Sequence, residues 1–230
     1  MRRFLPILAG VVASLVVPGA HADAPAWTKL PVSGDLPVFV LAADEGARAV
    51  IVYLHGHCGD PVAPMKAWPQ PLRSRGVTIS VQADVPCEGK PGRFHWSPDP
   101  KAIERRIDAA VASVAAVHGP LSSGPRLLIG YSEGALRAET LAREFPEVYP
   151  RIVVGGTPAP TKATSFARSK AVAQLVGERD VQGPARDGTT ALEKAGIRTR
   201  LFVLPGVGHG QYGRESPRVM TEALTWLFEE

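Results

Sequence analysis

Short apolar runs rich in β-branched residues alternate with helical patterns along this chain, and that alternation restricts its fold more than any other feature. The runs are "AVIVYLH" (49–55), "VTISVQA" (77–83), "RLLIGY" (126–131), "RIVVGG" (151–156), "AVAQLVG" (171–177) and "RTRLFVLPG" (198–206). Such unbroken runs suit strands covered on both faces of a parallel sheet. Between them, Asp99-Pro100 offers an N-cap and a first helical position, and Ile103, Ile107, Val111, Val114 and Val117 recur on one face. Leu136, Leu141 and Phe145 mark a second helix, and Ser216-Pro217 opens a last one striped by Met220, Leu224 and Leu227. Together these predict an α/β protein with a mostly parallel central sheet and helices on both faces. An earlier run, "LPVFVLAA" (36–43), is expected to pair antiparallel at one edge.

The first 22 residues have a different character. Met1-Arg2-Arg3 precedes an apolar stretch from Phe4 to Val17, and Ala20-His21-Ala22 forms a small-x-small site. That is the layout of a signal peptide, with cleavage expected before Asp23. The apolar stretch is too short for a comfortable membrane span, so no stable membrane insertion is expected after cleavage. Residues 23–230 then read as one domain, with enough chain for a large core and no linker or repeat. The leader's two arginines account for half of the formal charge of +4, and no basic block remains to suggest a nucleic-acid partner. A periplasmic or secreted location follows. There, two cysteines, Cys58 and Cys87, are expected to pair if the fold lets them meet.

In open α/β sheets, function gathers at the carboxyl ends of the strands. The run 49–55 leads into "HGHCGD" (55–60), and 126–131 leads into Gly130-Tyr131-Ser132-Glu133-Gly134. The run 171–177 is followed by "ERD", ending in Asp180, and 198–206 by "GVGHGQYG", which contains His209. A G-x-S-x-G motif between strand and helix, with serine, acid and histidine in that chain order, resembles the α/β-hydrolase superfamily. The resemblance extends over nearly the whole of residues 23–230. It implies a serine hydrolase in which Ser132 is the nucleophile, His209 the base and Asp180 the residue that orients the base. It also implies an oxyanion hole formed by the backbone N–H groups of Glu133 and His57. Asp180 is preferred as the acid because similar hydrolases place it in a G-x-x-D context, matched by Gly177 to Asp180. Glu178 and Asp187 are the competing candidates. The strands 49–55 and 77–83 are neighbours in such a fold, which would let Cys58 and Cys87 bond.

Residues 157–170 are too few to hold a helical lid, so no cap domain is expected. An uncapped site resembles those of the compact carboxylesterase, thioesterase and dienelactone-hydrolase branches. It implies a small-molecule acyl substrate and no cofactor. A peptidase or amidase, or an inactive hydrolase-fold binding protein, are the alternative readings. The loop 84–100 carries Phe94 and Trp96, which are expected at the substrate rim or, for Trp96, packed into the core. His55, His57 and Asp60 offer an H-x-H zinc set. No further ligand motif accompanies them, so no metal is expected.

Overall fold

The structure is a computed structural model that describes residues 27–62 and 66–229. The leader assigned to residues 1–22 lies outside the described residues. The strands are β1 (Thr28–Leu30), β2 (Val38–Leu41), β3 (Ala49–Leu54), β4 (Gly76–Val81), β5 (Val85–Pro86), β6 (Phe94–His95), β7 (Leu127–Tyr131), β8 (Arg151–Gly155), β9 (Ala171–Gly177) and β10 (Thr199–Leu204). The helices are α1 (Pro69–Arg73), α2 (Pro100–His118), α3 (Glu133–Glu144), α4 (Gly183–Lys194) and α5 (Ser216–Phe228).

Eight strands form one sheet in the order β1-β2-β4-β3-β7-β8-β9-β10. From β4 to β10 every neighbouring pair is parallel, whereas β1–β2 and β2–β4 are antiparallel. The antiparallel placement of residues 36–43 is as expected, but β2 is not the edge. β1, three residues of Thr-Lys-Leu, lies outside it and is too short and polar to announce itself as a strand. β5 and β6 form a separate two-stranded ribbon.

The apolar runs are buried on both faces, as parallel strands require, except at the edge strand β10, where only Phe202 and Leu204 are fully buried. Along β3, Val50, Val52 and Leu54 face a layer completed by Ile103, Ile107 and Val114 of α2 and by Ala138 and Leu141 of α3. Ile51 and Tyr53 face the opposite layer, with Leu72 of α1 and Met220, Leu224 and Leu227 of α5. The two-residue period of a strand thus divides one apolar run between two helix layers. α2 begins as its sequence predicts: Asp99 caps it by accepting the Lys101 N–H at 2.9 Å, and Pro100 occupies the first turn. Its last residue read as apolar stripe, Val117, is instead 62% exposed, because the last turn of the helix runs past the core: Ala116 and His118 beside it are exposed too.

Between β8 and β9 the chain makes one short 3-10 turn, Ala163–Phe166, and among the described residues none forms a cap over the sheet's carboxyl edge. Cys58 and Cys87 are disulfide-bonded, with Cα atoms 6.0 Å apart. Among the described residues, no helix is long and apolar enough to cross a membrane.

Candidate active site

The glycines of G-x-S-x-G exist because strand and helix meet too closely for side chains. A Cβ on Gly130 would lie 2.3 Å from the Gly134 carbonyl oxygen, and one on Gly134 would lie 2.1 Å from the Leu54 oxygen. This contact lets α3 start one residue after β7 ends, with Ser132 alone at the bend. Ser132 adopts φ 55° and ψ −117°. That is a left-handed conformation costing about 1–3 kcal/mol, retained only where the surroundings enforce it. Here the enforcement includes the Ser132 N–H, which donates to the Gly155 oxygen at 2.8 Å, and the Ser132 carbonyl, which accepts the Ala135 N–H at 3.0 Å.

Two further loops of the same sheet edge converge on the serine. His209, in the loop after β10, places Nε2 3.1 Å from Ser132 Oγ. Its Nδ1 lies 2.9 Å from Asp180 Oδ2, in the loop after β9. Asp180 Oδ1 accepts the Val181 N–H at 2.7 Å, so both carboxylate oxygens are engaged. A carboxylate can only accept, which assigns the Nδ1 proton to the histidine and leaves Nε2 free to take a proton from Ser132. The Asp180 side chain is 7% exposed and that of His209 49% exposed, so the pair runs from a shielded end to an open one.

The competing acids are placed elsewhere. Glu178 Oε2 accepts the Gly206 N–H at 2.6 Å and so ties the acid loop to the histidine loop. Asp187 lies within α4.

The His-Gly loop closes the site from the other side. Gly56 is packed against the serine: a Cβ there would lie 3.0 Å from Ser132 Cβ and 3.6 Å from Oγ. A cavity of about 230 Å³ opens over Ser132, lined by Gly56, His57, Asp60, Tyr131, His209 and Tyr212 among others. His57 is therefore beside the serine. Glu133 is the first residue of α3, so its N–H has no acceptor within the helix.

The two histidines of H-G-H differ sharply. His55 is buried, with Nδ1 2.8 Å from the Gly56 oxygen and Nε2 accepting the Ala83 N–H at 3.0 Å. These partners fix a neutral tautomer, and burial holds its pKa below the ordinary histidine value. His55 cannot join a zinc set with His57 and Asp60. The His57 ring is exposed, with Nδ1 3.2 Å from Glu133 Oε2.

The loop 84–100 does not supply the expected rim. Trp96 is 1% exposed, and its indole N–H donates to the His55 oxygen at 2.7 Å. It anchors the loop to the core, because an indole that can hydrogen-bond a strand-end carbonyl is better buried than wet. Phe94 is half-buried against the core and lines a different groove with Arg93, Lys29 and Phe39. The aromatic walls near Ser132 are instead Tyr131 and Tyr212. The Tyr131 hydroxyl accepts the Gly210 N–H at 2.6 Å, and its ring centroid lies 5.3 Å from that of His209. Tyr131 thus holds the histidine loop from the position beside Ser132. Its place within the serine motif was visible in the sequence, but its role needed the loop's return. Burial pushes the Tyr131 hydroxyl above the ordinary phenol value and that of Tyr212 well above it, so both are neutral walls.

No sequence-family model and no curated protein sequence matches the chain. Solved structures do. The chain is similar to esterase PE8 at 22% identity and a TM-score of 0.63, over 87% of this chain and 100% of that one. A carboxylesterase from Mesorhizobium loti superposes at 22% identity and a TM-score of 0.62, over 85% and 98% of the two chains. A Bacillus cereus carboxylesterase does so at 17% identity and 0.58, over 82% and 93%. Likeness at these identities speaks for the fold: sheet order, bend and loops make this chain a protein of the α/β-hydrolase fold.

Proposed function

We propose that this protein is a serine hydrolase that cleaves carboxylic esters of small molecules through an acyl-enzyme intermediate. The observation that carries the reading is the continuous chain from Ser132 Oγ to His209 Nε2, and from His209 Nδ1 to Asp180, at 3.1 and 2.9 Å. A serine hydroxyl is a weak nucleophile at neutral pH and needs a base within hydrogen-bond reach. In the first half-reaction, Oγ attacks the acyl carbonyl while its proton passes to His209 Nε2. The negative oxygen of the tetrahedral intermediate takes hydrogen bonds from the backbone N–H groups of His57 and Glu133. His209 then protonates the leaving alkoxide, the C–O bond breaks, and the acyl group remains on Ser132. In the second, His209 takes a proton from water, the hydroxide attacks the acyl-serine, and the proton returns to Oγ as the acid departs. Asp180 holds the imidazole in the required tautomer and stabilises its charged form at each transfer.

The cavity of about 230 Å³ is small for a ligand pocket. With no cap above it, it favours short acyl groups on substrates whose remainder stays in solvent. The esterases of the same fold support the same bond type. The leader and the disulfide support export into an oxidising compartment, periplasmic or extracellular.

The test is covalent labelling of the purified protein with a fluorophosphonate, beside Ser132→Ala and His209→Ala. Rapid labelling of the wild type alone is expected, followed by turnover of short-chain esters ahead of thioesters and amides. A folded wild type that neither labels nor turns over any of the three would refute the mechanism.

A further inference from the structure

The structure gathers three metal-ligating side chains from separate elements at the flank of the serine site. They are His57 in the loop after β3, His95 in β6 and Glu133 at the start of α3. One ligand atom from each lies within 4.8 Å of the other two. We propose that these side chains form a binding site for a divalent d-block ion of the zinc class.

The geometry is close to what such an ion needs. Zinc bonds of roughly 2.0–2.1 Å to nitrogen and oxygen place tetrahedral neighbours roughly 3.3 Å apart. His57 Nδ1 and Glu133 Oε2 are 3.2 Å apart. The His57 and His95 ring centroids are 5.1 Å apart, with an interplanar angle of 35°, and the three ligand atoms lie within 4.8 Å of one another, so the His95 ring must move inward to complete the set. The donor set, two imidazoles and one carboxylate, suits zinc, cobalt and nickel, and leaves a coordination position for water.

Glu133 is also held in place. Its Oε1 accepts from Arg137 Nη2 at 3.4 Å, and its Oε2 is approached by the Trp96 N–H at 3.4 Å. The carboxylate side chain is 14% exposed and the His57 side chain 63% exposed, so the site has a fixed floor and an open entry. Arg137 stays on the oxygen that the ion does not use, as an outer partner that orients a ligand. Its positive charge also makes this a weaker, exchangeable site rather than a structural one. The nearby cysteines do not compete, because Cys58 and Cys87 are bonded to each other. An ion bound here would tie the His-Gly loop to the β5–β6 ribbon and to the helix start, all next to the nucleophile.

The site is independent of the hydrolase reading, and its test needs no activity. Metal-free protein is titrated with zinc sulfate by calorimetry, beside His95→Gln, Glu133→Gln and His209→Gln. The expected result is one zinc per chain in the wild type and in His209→Gln, with binding lost in the other two. Absence of binding in the wild type, or unchanged binding in His95→Gln and Glu133→Gln, overturns the proposal. Loss in His209→Gln alone also overturns it, by placing the ion at the serine site. Should a variant fail to fold, wild-type protein suffices. Zinc is expected to shield His57 and His95 from diethyl pyrocarbonate, read by peptide mass spectrometry. Equal modification with and without zinc overturns the proposal.

Discussion

Two glycines around the serine make opposite predictions when each receives one methyl group. At Gly134 the added carbon would lie 2.1 Å from the Leu54 oxygen, 2.6 Å from its carbonyl carbon and 2.7 Å from the His55 oxygen. All three are backbone atoms of the central strand and its exit, so no side chain can swing away. α3 must retreat by more than an ångström, which places Gly134→Ala at or beyond the upper end of the roughly 1–3 kcal/mol cost of overpacking. At Gly56 the nearest atom is Ser132 Cβ at 3.0 Å, and the next is the Tyr131 oxygen at 3.5 Å. A shift of a few tenths of an ångström relieves that contact. Gly56 is not in a positive-φ conformation, so alanine is not strained there and even restricts the unfolded chain. Gly56→Ala should therefore keep its stability within about 1 kcal/mol. The shift falls on Ser132 and the adjacent loop; with Ser132 as the proposed nucleophile, an ångström of misplacement there costs about a hundredfold in rate. We expect kcat/KM for a short-chain nitrophenyl ester to fall roughly tenfold. Urea unfolding and steady-state kinetics on both variants decide the matter. A Gly134→Ala protein as stable as wild type, or a Gly56→Ala protein as active, would refute the close-packing account of the bend.

Asp180→Asn should leave the fold intact, because both carboxylate contacts can be kept sterically. It presents the wrong polarity to His209 Nδ1, and turnover should fall by on the order of 10³–10⁴; labelling and hydrolysis rates near wild type would remove Asp180 from the mechanism. Replacing both Cys58 and Cys87 by serine opens a loop set by a sequence separation of 29. It should lower unfolding free energy by about 3–4 kcal/mol in denaturant titrations; a loss below about 1 kcal/mol would contradict the chain-entropy estimate. Glu104, buried beneath the Tyr149 hydroxyl, has its pKa raised by burial above the ordinary value. The folded state therefore holds its proton longer than the unfolded chain. The associated stability is full below the ordinary carboxylate value and is lost as pH rises through the raised one. Glu104→Gln should accordingly gain stability relative to wild type between acidic and neutral pH; a difference that does not change with pH refutes the assignment.

Much of the fold could be read from the sequence because parallel strands buried on both faces carry an unbroken apolar signature. The elements that escaped are those whose local chemistry argues against them. α1 contains two prolines in five residues. α4 contains Gly183, Pro184 and Gly188, yet it is held by burying Ala185, Thr189 and Leu192. The serine, acid and histidine were legible because each follows a strand, and strand order converts chain order into proximity. The loop 84–100 was not legible in the same way. Whether Trp96 faced the substrate or the core depended on a carbonyl 41 residues earlier, at His55. The meeting of His57, His95 and Glu133 depends likewise on a loop, a strand and a helix start that are far apart in sequence coming to one point.

The bond between Cys58 and Cys87 sits one residue from His57, at a position where Cys58 itself holds φ 51°. A non-glycine residue in that conformation relaxes when its restraint is released. The loop that faces Ser132 is thus ordered by a covalent link that forms only under oxidising conditions. With both thiols reduced, Ser132, Asp180 and His209 would keep their places while the wall of the cavity that carries His57 slackened.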